Sequence, residues 1–151
     1  MVKKNLLWLL AVLIIFSSCA TANFVYREST ARKVVDLVNT KEAETLARLS
    51  QNPFLLDGEI ILMPGDMKMF WEKSFEAGFG LPGAVVESVT PVDAGTFKIF
   101  GNSMDVKMFF KKYVPPAASL AKVISDSGDY WFVFYNREGK YPGILAFKGS
   151  N

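Results

Sequence analysis

The spacing of apolar residues changes character along the chain. Leu6 to Phe16 is an unbroken apolar run, well short of the roughly 20 residues a bilayer-spanning helix needs. Downstream, Ala31, Val34, Val35 and Val38 recur at helical spacing and predict an amphipathic helix over about Ser29 to Val38. Asn39-Thr40-Lys41-Glu42 has the form of a capping box opening a second helix, with Ala43, Leu46 and Ala47 as its buried stripe and Asn52-Pro53 as its stop. Asp57-Gly58-Glu59 sits between the apolar runs Phe54 to Leu56 and Ile60 to Leu62, the arrangement of a tight hairpin or an extended bend. Pro64-Gly65-Asp66 then acts as breaker and N-cap. The third predicted helix, about Met67 to Ala77, aligns Met67, Phe70, Trp71 and Phe75 on one face and stops at Gly78.

After Gly83 the period shortens. β-Branched and aromatic residues alternate with polar ones, predicting strands near Ala84 to Val92, Met104 to Tyr113, Leu120 to Ser125, Tyr130 to Asn136 and Pro142 to Phe147. Thr96 to Phe100 fits a strand or a short helix equally. Asp126-Ser127-Gly128-Asp129 and Asn136-Arg137-Glu138-Gly139 are turn sequences, rich in residues that tolerate positive φ. Helices followed by a meander predict an α+β class: N-terminal helices packed on one face of a curved antiparallel sheet.

Composition narrows the chemistry. With 50% hydrophobic and 14% aromatic residues the chain can bury a core, and its 151 residues suffice for one domain. The 17 basic and 15 acidic residues balance once Lys3 and Lys4 of the leader are set aside, and no basic run, Lys111-Lys112 included, is longer than two residues, so no nucleic-acid surface is expected. Histidine is absent, which removes the usual general base and the commonest transition-metal ligand; no metal and no cofactor are expected. The single cysteine, Cys19, leaves no internal disulfide.

Residues 1–18 have the three parts of an export signal: Lys3-Lys4, the apolar run, and small residues before a cut. Phe16-Ser17-Ser18-Cys19-Ala20 resembles a bacterial lipobox, in which only a thiol can carry the diacylglycerol thioether. Phe16 stands where leucine is usual, as in the looser lipoboxes of spirochaetes. Cys19 is thus the expected lipidation site, with 19–28 as lipidated terminus and tether and 29–151 as the domain. An outer-membrane or cell-surface anchor is expected. Ala20-Thr21-Ala22 offers a competing cut that would release a soluble secreted protein from Asn23.

The order of elements, Phe54-Leu55-Leu56-Asp57-Gly58-Glu59 between helices, and Trp71 in the third helix resemble the nuclear transport factor 2-like fold, which includes SnoaL-like proteins and ketosteroid isomerase. The resemblance covers roughly residues 29–148. It implies a cone-like, cystatin-like arrangement with a mostly apolar pocket, and no catalytic residue carries over. Candidate pocket residues are Phe70, Trp71, Phe75, Trp131, Phe132 and Phe134. Alternation places Phe132 and Phe134 on one strand face and Trp131 and Tyr135 on the other. Core packing is the competing role for all of these, and for Phe79, Phe109 and Phe110. Asp57 and Glu59 are the only nameable catalytic carboxylates, and turn formation explains them as well. Lys107, Lys111 and Lys112, with Asp105, have the look of an anion site; on a predicted strand they serve equally to protect a sheet edge.

The expected function is therefore a membrane-anchored envelope lipoprotein whose non-catalytic domain binds an apolar small molecule or an envelope protein. Two alternatives stand beside it: a small isomerase- or hydrolase-type enzyme using a buried carboxylate and tyrosine, and a soluble secreted protein. In a bacterial host, labelled palmitate should enter through Cys19. Cys19→Ser should abolish labelling and give a soluble product beginning at Asn23, and an unlabelled wild type starting at Asn23 would exclude the anchor.

Overall fold

The computed structural model describes residues 26–136 and 142–150. Residues 26–39 form helix α1, followed by α2 (Ala43–Leu49), β1 (Ser50–Leu56), β2 (Glu59–Ile61), α3 (Pro64–Glu76) and β3 (Val85–Pro91). Two further helices, α4 (Phe97–Phe100) and α5 (Met104–Tyr113), precede β4 (Ser119–Ser125), β5 (Gly128–Tyr135) and β6 (Gly143–Lys148). The α+β class is as expected. The sheet is mixed rather than purely antiparallel: its order is β2-β1-β6-β5-β4-β3, and β1 runs parallel to β6. It is curved and does not close.

Asp57 and Gly58 form the hairpin loop between β1 and β2, with φ of 47° and 92° and Leu56 paired to Glu59. Two consecutive left-handed residues match the twist of the flanking strands, which is why Asp-Gly is favoured there. The asparagine-proline pair does not stop a helix; Asn52 and Pro53 lie inside β1, joined by a cis peptide bond. Helix α3 starts three residues before Met67, with Pro64 at its first position, so Asp66 belongs to the first turn and is not the cap. Its apolar stripe is as read, Met67, Trp71 and Phe75 being buried.

The capping box does not form. Helix α1 continues through Asn39, Glu42 occupies the N-cap of α2 without a side-chain bond, and the Asn39 amide turns toward Leu81 instead. There its Oδ1 accepts from the Leu81 amide at 2.8 Å and its Nδ2 donates to the Leu81 carbonyl at 3.1 Å. One side chain thus satisfies both polar groups of a buried backbone unit.

The larger correction concerns residues Met104 to Tyr113, which are helix α5 and not a strand. Val106, Phe109, Phe110 and Tyr113 keep the i, i+3, i+4, i+7 spacing, Ser103 caps the first turn by accepting from Val106 N at 3.2 Å, and Lys111 and Lys112 lie in the last. β-Propensities differ by about 1 kcal/mol, whereas burying one phenylalanine contributes about 1.5–3 kcal/mol, so packing decides. Phe100, Val106 and Phe109 bury against Leu55, Val133, Leu145 and Ala146 on one face of the sheet. The opposite face carries α1, α2 and α3, with Trp71, Phe132, Phe134 and Phe147 in the larger core. Helices therefore cover both faces, not one.

Two bulges make this sorting possible. Glu87 is extra between Val86 and Ser88 in the pairing with β4, so Val86 and Val89, three apart, share a face. Leu145 is extra between Ile144 and Ala146 in the pairing with β5, so Ile144 and Phe147 join one core while Leu145 and Ala146 join the other.

Because Asn39 acts as a clamp and not as a cap, Asn39→Asp should destabilise the chain along with Asn39→Ala, each by roughly 1–3 kcal/mol: alanine leaves the buried Leu81 amide unpaired, and aspartate sets a carboxylate oxygen against the Leu81 carbonyl, which then keeps only the Ala84 amide. Urea unfolding measures this. A cap would tolerate aspartate.

Candidate functional site

Two clefts flank the C-terminal end of α5. The first, of about 340 Å³, opens between α5 and the segment joining β3 to α4. Val92, Phe97, Phe110, Val114 and Pro115 give it apolar walls; Asp93, Lys107 and Lys111 stand among its lining residues. The second, of about 300 Å³, lies beside β1 and is lined by Gln51, Asn52, Pro53, Tyr113, Pro115, Tyr135 and Leu145. Pro115 borders both.

Local sequence explains the first cleft. Pro115 and Pro116 disfavour continuation of α5, and the Ala118 amide donates to the Pro115 carbonyl at 2.9 Å, turning the chain toward β4. Val92 N donates to Ala118 O at 3.1 Å, tying the end of β3 to the same turn. Between Val92 and α4, Asp93 organises a compact loop. Its Oδ1 accepts from Gly95 N at 2.8 Å and from Thr96 Oγ1 at 2.9 Å, while Asp93 N donates to Thr96 Oγ1 at 2.9 Å. The Thr96 hydroxyl, followed by the amide of Gly95, holds the Asp93 carboxyl below the ordinary carboxylate range. Asp93 is thereby an ionised loop-former, the reverse of the raised carboxyl that general acid catalysis near neutrality uses.

The sequence candidates distribute differently. Trp71 is 1% exposed, its ring 4.9 Å from Phe70 and 5.8 Å from Phe147, and its Nε1 donates to Ser50 Oγ at 3.3 Å. Phe75, Phe132 and Phe134 are buried in the same core and Phe70 packs against it. Trp131 lies half-buried on the opposite sheet face, as alternation requires. None of these six residues lines either cleft. Asp57 and Glu59 are both exposed and outside the clefts; Asp57 Oδ1 accepts from Gly149 N at 2.7 Å, fastening the hairpin loop to the end of β6. Cys19 and Arg137-Glu138-Gly139 lie outside the described residues.

The basic cluster sits on a helix. Lys107 and Lys111 line the first cleft, Lys112 lies over the Tyr113 ring with its Nζ 5.0 Å from the centroid, and Asp105 occupies the first turn. Among the described residues no group of three or more histidine, cysteine, aspartate or glutamate side chains converges as a metal site would. No described helix is long and apolar enough to cross a membrane.

No family model and no curated protein matches the chain. Among solved structures it is similar to a domain of unknown function with a cystatin-like fold from Nostoc punctiforme, at 13% identity and a TM-score of 0.47 over 86% of this chain and 77% of that one.

The Asp93 loop gives a pH test. A carboxyl whose native value is lowered adds stability that is complete above its unfolded value and is lost as pH falls through the native one. Thr96→Val removes the largest cause of the shift. NMR titration of Asp93 in that variant should move its midpoint up toward the ordinary carboxylate value, and acid unfolding should begin at higher pH than in wild type.

Proposed function

We propose that the chain is an envelope protein anchored through Cys19, whose non-catalytic domain of the nuclear transport factor 2-like type binds an apolar small molecule in the cleft beside α5. The observation that carries the binding reading is the cleft itself. Its volume of about 340 Å³ falls in the range of small-molecule sites, and Val92, Phe97, Phe110, Val114 and Pro115 make most of its wall apolar. The element order and the strand order β2-β1-β6-β5-β4-β3 support the family reading.

Chemistry speaks against catalysis there. The one carboxylate among the cleft's lining residues, Asp93, is committed to its own loop and shifted toward the ionised form. Asp57 and Glu59 are solvent-exposed and their hairpin lines neither cleft. The six aromatic candidates contribute to the cores and to no cleft wall, so the ligand site proposed here lies on the other side of the sheet from Trp71.

Ala94 is an exposed lining residue, so filling the cleft from there disturbs little of the core. The full chain in zwitterionic nanodiscs, with empty discs subtracted, should bind decan-1-ol by calorimetry, and Ala94→Trp should abolish that binding without lowering the melting temperature. Equal binding by wild type and Ala94→Trp would exclude this cleft, and no binding by wild type would exclude the apolar-ligand reading.

A further inference from the structure

We propose that the ligand of the cleft beside α5 is an anionic amphiphile, a long-chain carboxylate whose tail lies against Phe97 and Phe110 and whose head is held by Lys107 and Lys111. This rests on the binding reading above and adds the chemical class of the ligand.

The two lysines are four residues apart on α5, which places their stems one above the other with Cβ atoms roughly 6 Å apart. Both line the cleft and both are exposed. Neither belongs to an ion pair among the described residues, whereas Lys68, Lys73 and Lys122 each meet a glutamate. Lys122 additionally reaches Asp129 at 3.4 Å. Asp105, the acidic residue of α5, lies in the first turn and is not part of the cleft wall.

The opposing charge at the rim is Asp93, whose Oδ1 is already engaged by Gly95 N and Thr96 Oγ1. Two cations against one anion leave the cleft with a net positive rim over an apolar floor. A neutral hydrocarbon would use the floor and leave the ammonium groups idle; a small hydrophilic anion would leave Phe97 and Phe110 idle. A carboxylate on an alkyl chain engages both, because the long lysine stems can lie along apolar surface while their heads remain at the water boundary.

Decanoate and decan-1-ol share a chain and differ at the head. In the nanodisc calorimetry, decanoate should bind the wild-type chain more tightly than decan-1-ol, and its affinity should fall as salt rises. The double variant Lys107→Gln/Lys111→Gln should weaken decanoate by about tenfold or more, the loss expected for charge-assisted contacts, and leave decan-1-ol unchanged. Lys112→Gln, on the same helix but outside the cleft, should bind decanoate as wild type does. If decan-1-ol binds but the double variant retains full decanoate affinity, the head-group assignment falls and the apolar-ligand reading stands. If neither compound binds the wild type, both fall. A double variant that only lowers the melting temperature, with decanoate affinity intact, would assign Lys111, in the last turn, to the negative C-terminal end of the helix and overturn the proposal.

Discussion

The architecture depends on a strand that must be buried on both faces. In β6 the five residues Gly143 to Phe147 are all buried, and in β5 Phe132, Val133 and Phe134 are buried in succession. A strand exposes its side chains alternately up and down, so such runs are satisfied only if both faces of the sheet are covered. Helices α1 to α3 cover one face through Trp71 and its aromatic neighbours, and α4 with α5 covers the other through Phe100, Val106 and Phe109. The clefts exist because α5 covers that second face only as far as its proline stop.

This constraint also separates what could be read from the residues from what could not. The hairpin at Asp57-Gly58 and the stripe of α3 were legible because each is encoded locally, by a turn that needs left-handed residues and by an uninterrupted helical period. The separation of Phe132 and Phe134 from Trp131 and Tyr135 followed from alternation alone. Helix α5 is ambiguous in the sequence because Val106, Phe109 and Phe110 also suit a strand, and the cues that favour a helix, Ser103 before it and Pro115-Pro116 after it, lie outside the apolar pattern itself. The unbroken run Ile144-Leu145-Ala146-Phe147 carries the missing information: it calls for cover on both faces, and a further strand of the same sheet cannot supply it.

The site was less legible than the fold. Aromatic residues signal burial, and burial does not distinguish a pocket wall from a core. Trp71 and Phe134 went to the core because facing residues fill the space opposite them. The cleft instead joins residues from the end of β3, the α4 turn and the end of α5, each unremarkable in its own segment. Asn39 is a similar case. Its bond to Leu81 spans 42 residues, a separation at which a local capping pattern carries no information.

The parallel pairing of β1 with β6 joins the first described strand to the last. Contacts this far apart in sequence can form only after the intervening chain has been drawn together, so their entropic cost falls late in folding, whereas the meander β4-β5-β6 is built from neighbours. Until β6 is made, β1 and its hairpin have no central sheet to join. A growing chain would thus hold α1, α2 and the first hairpin without their place in the sheet until β6 has been made.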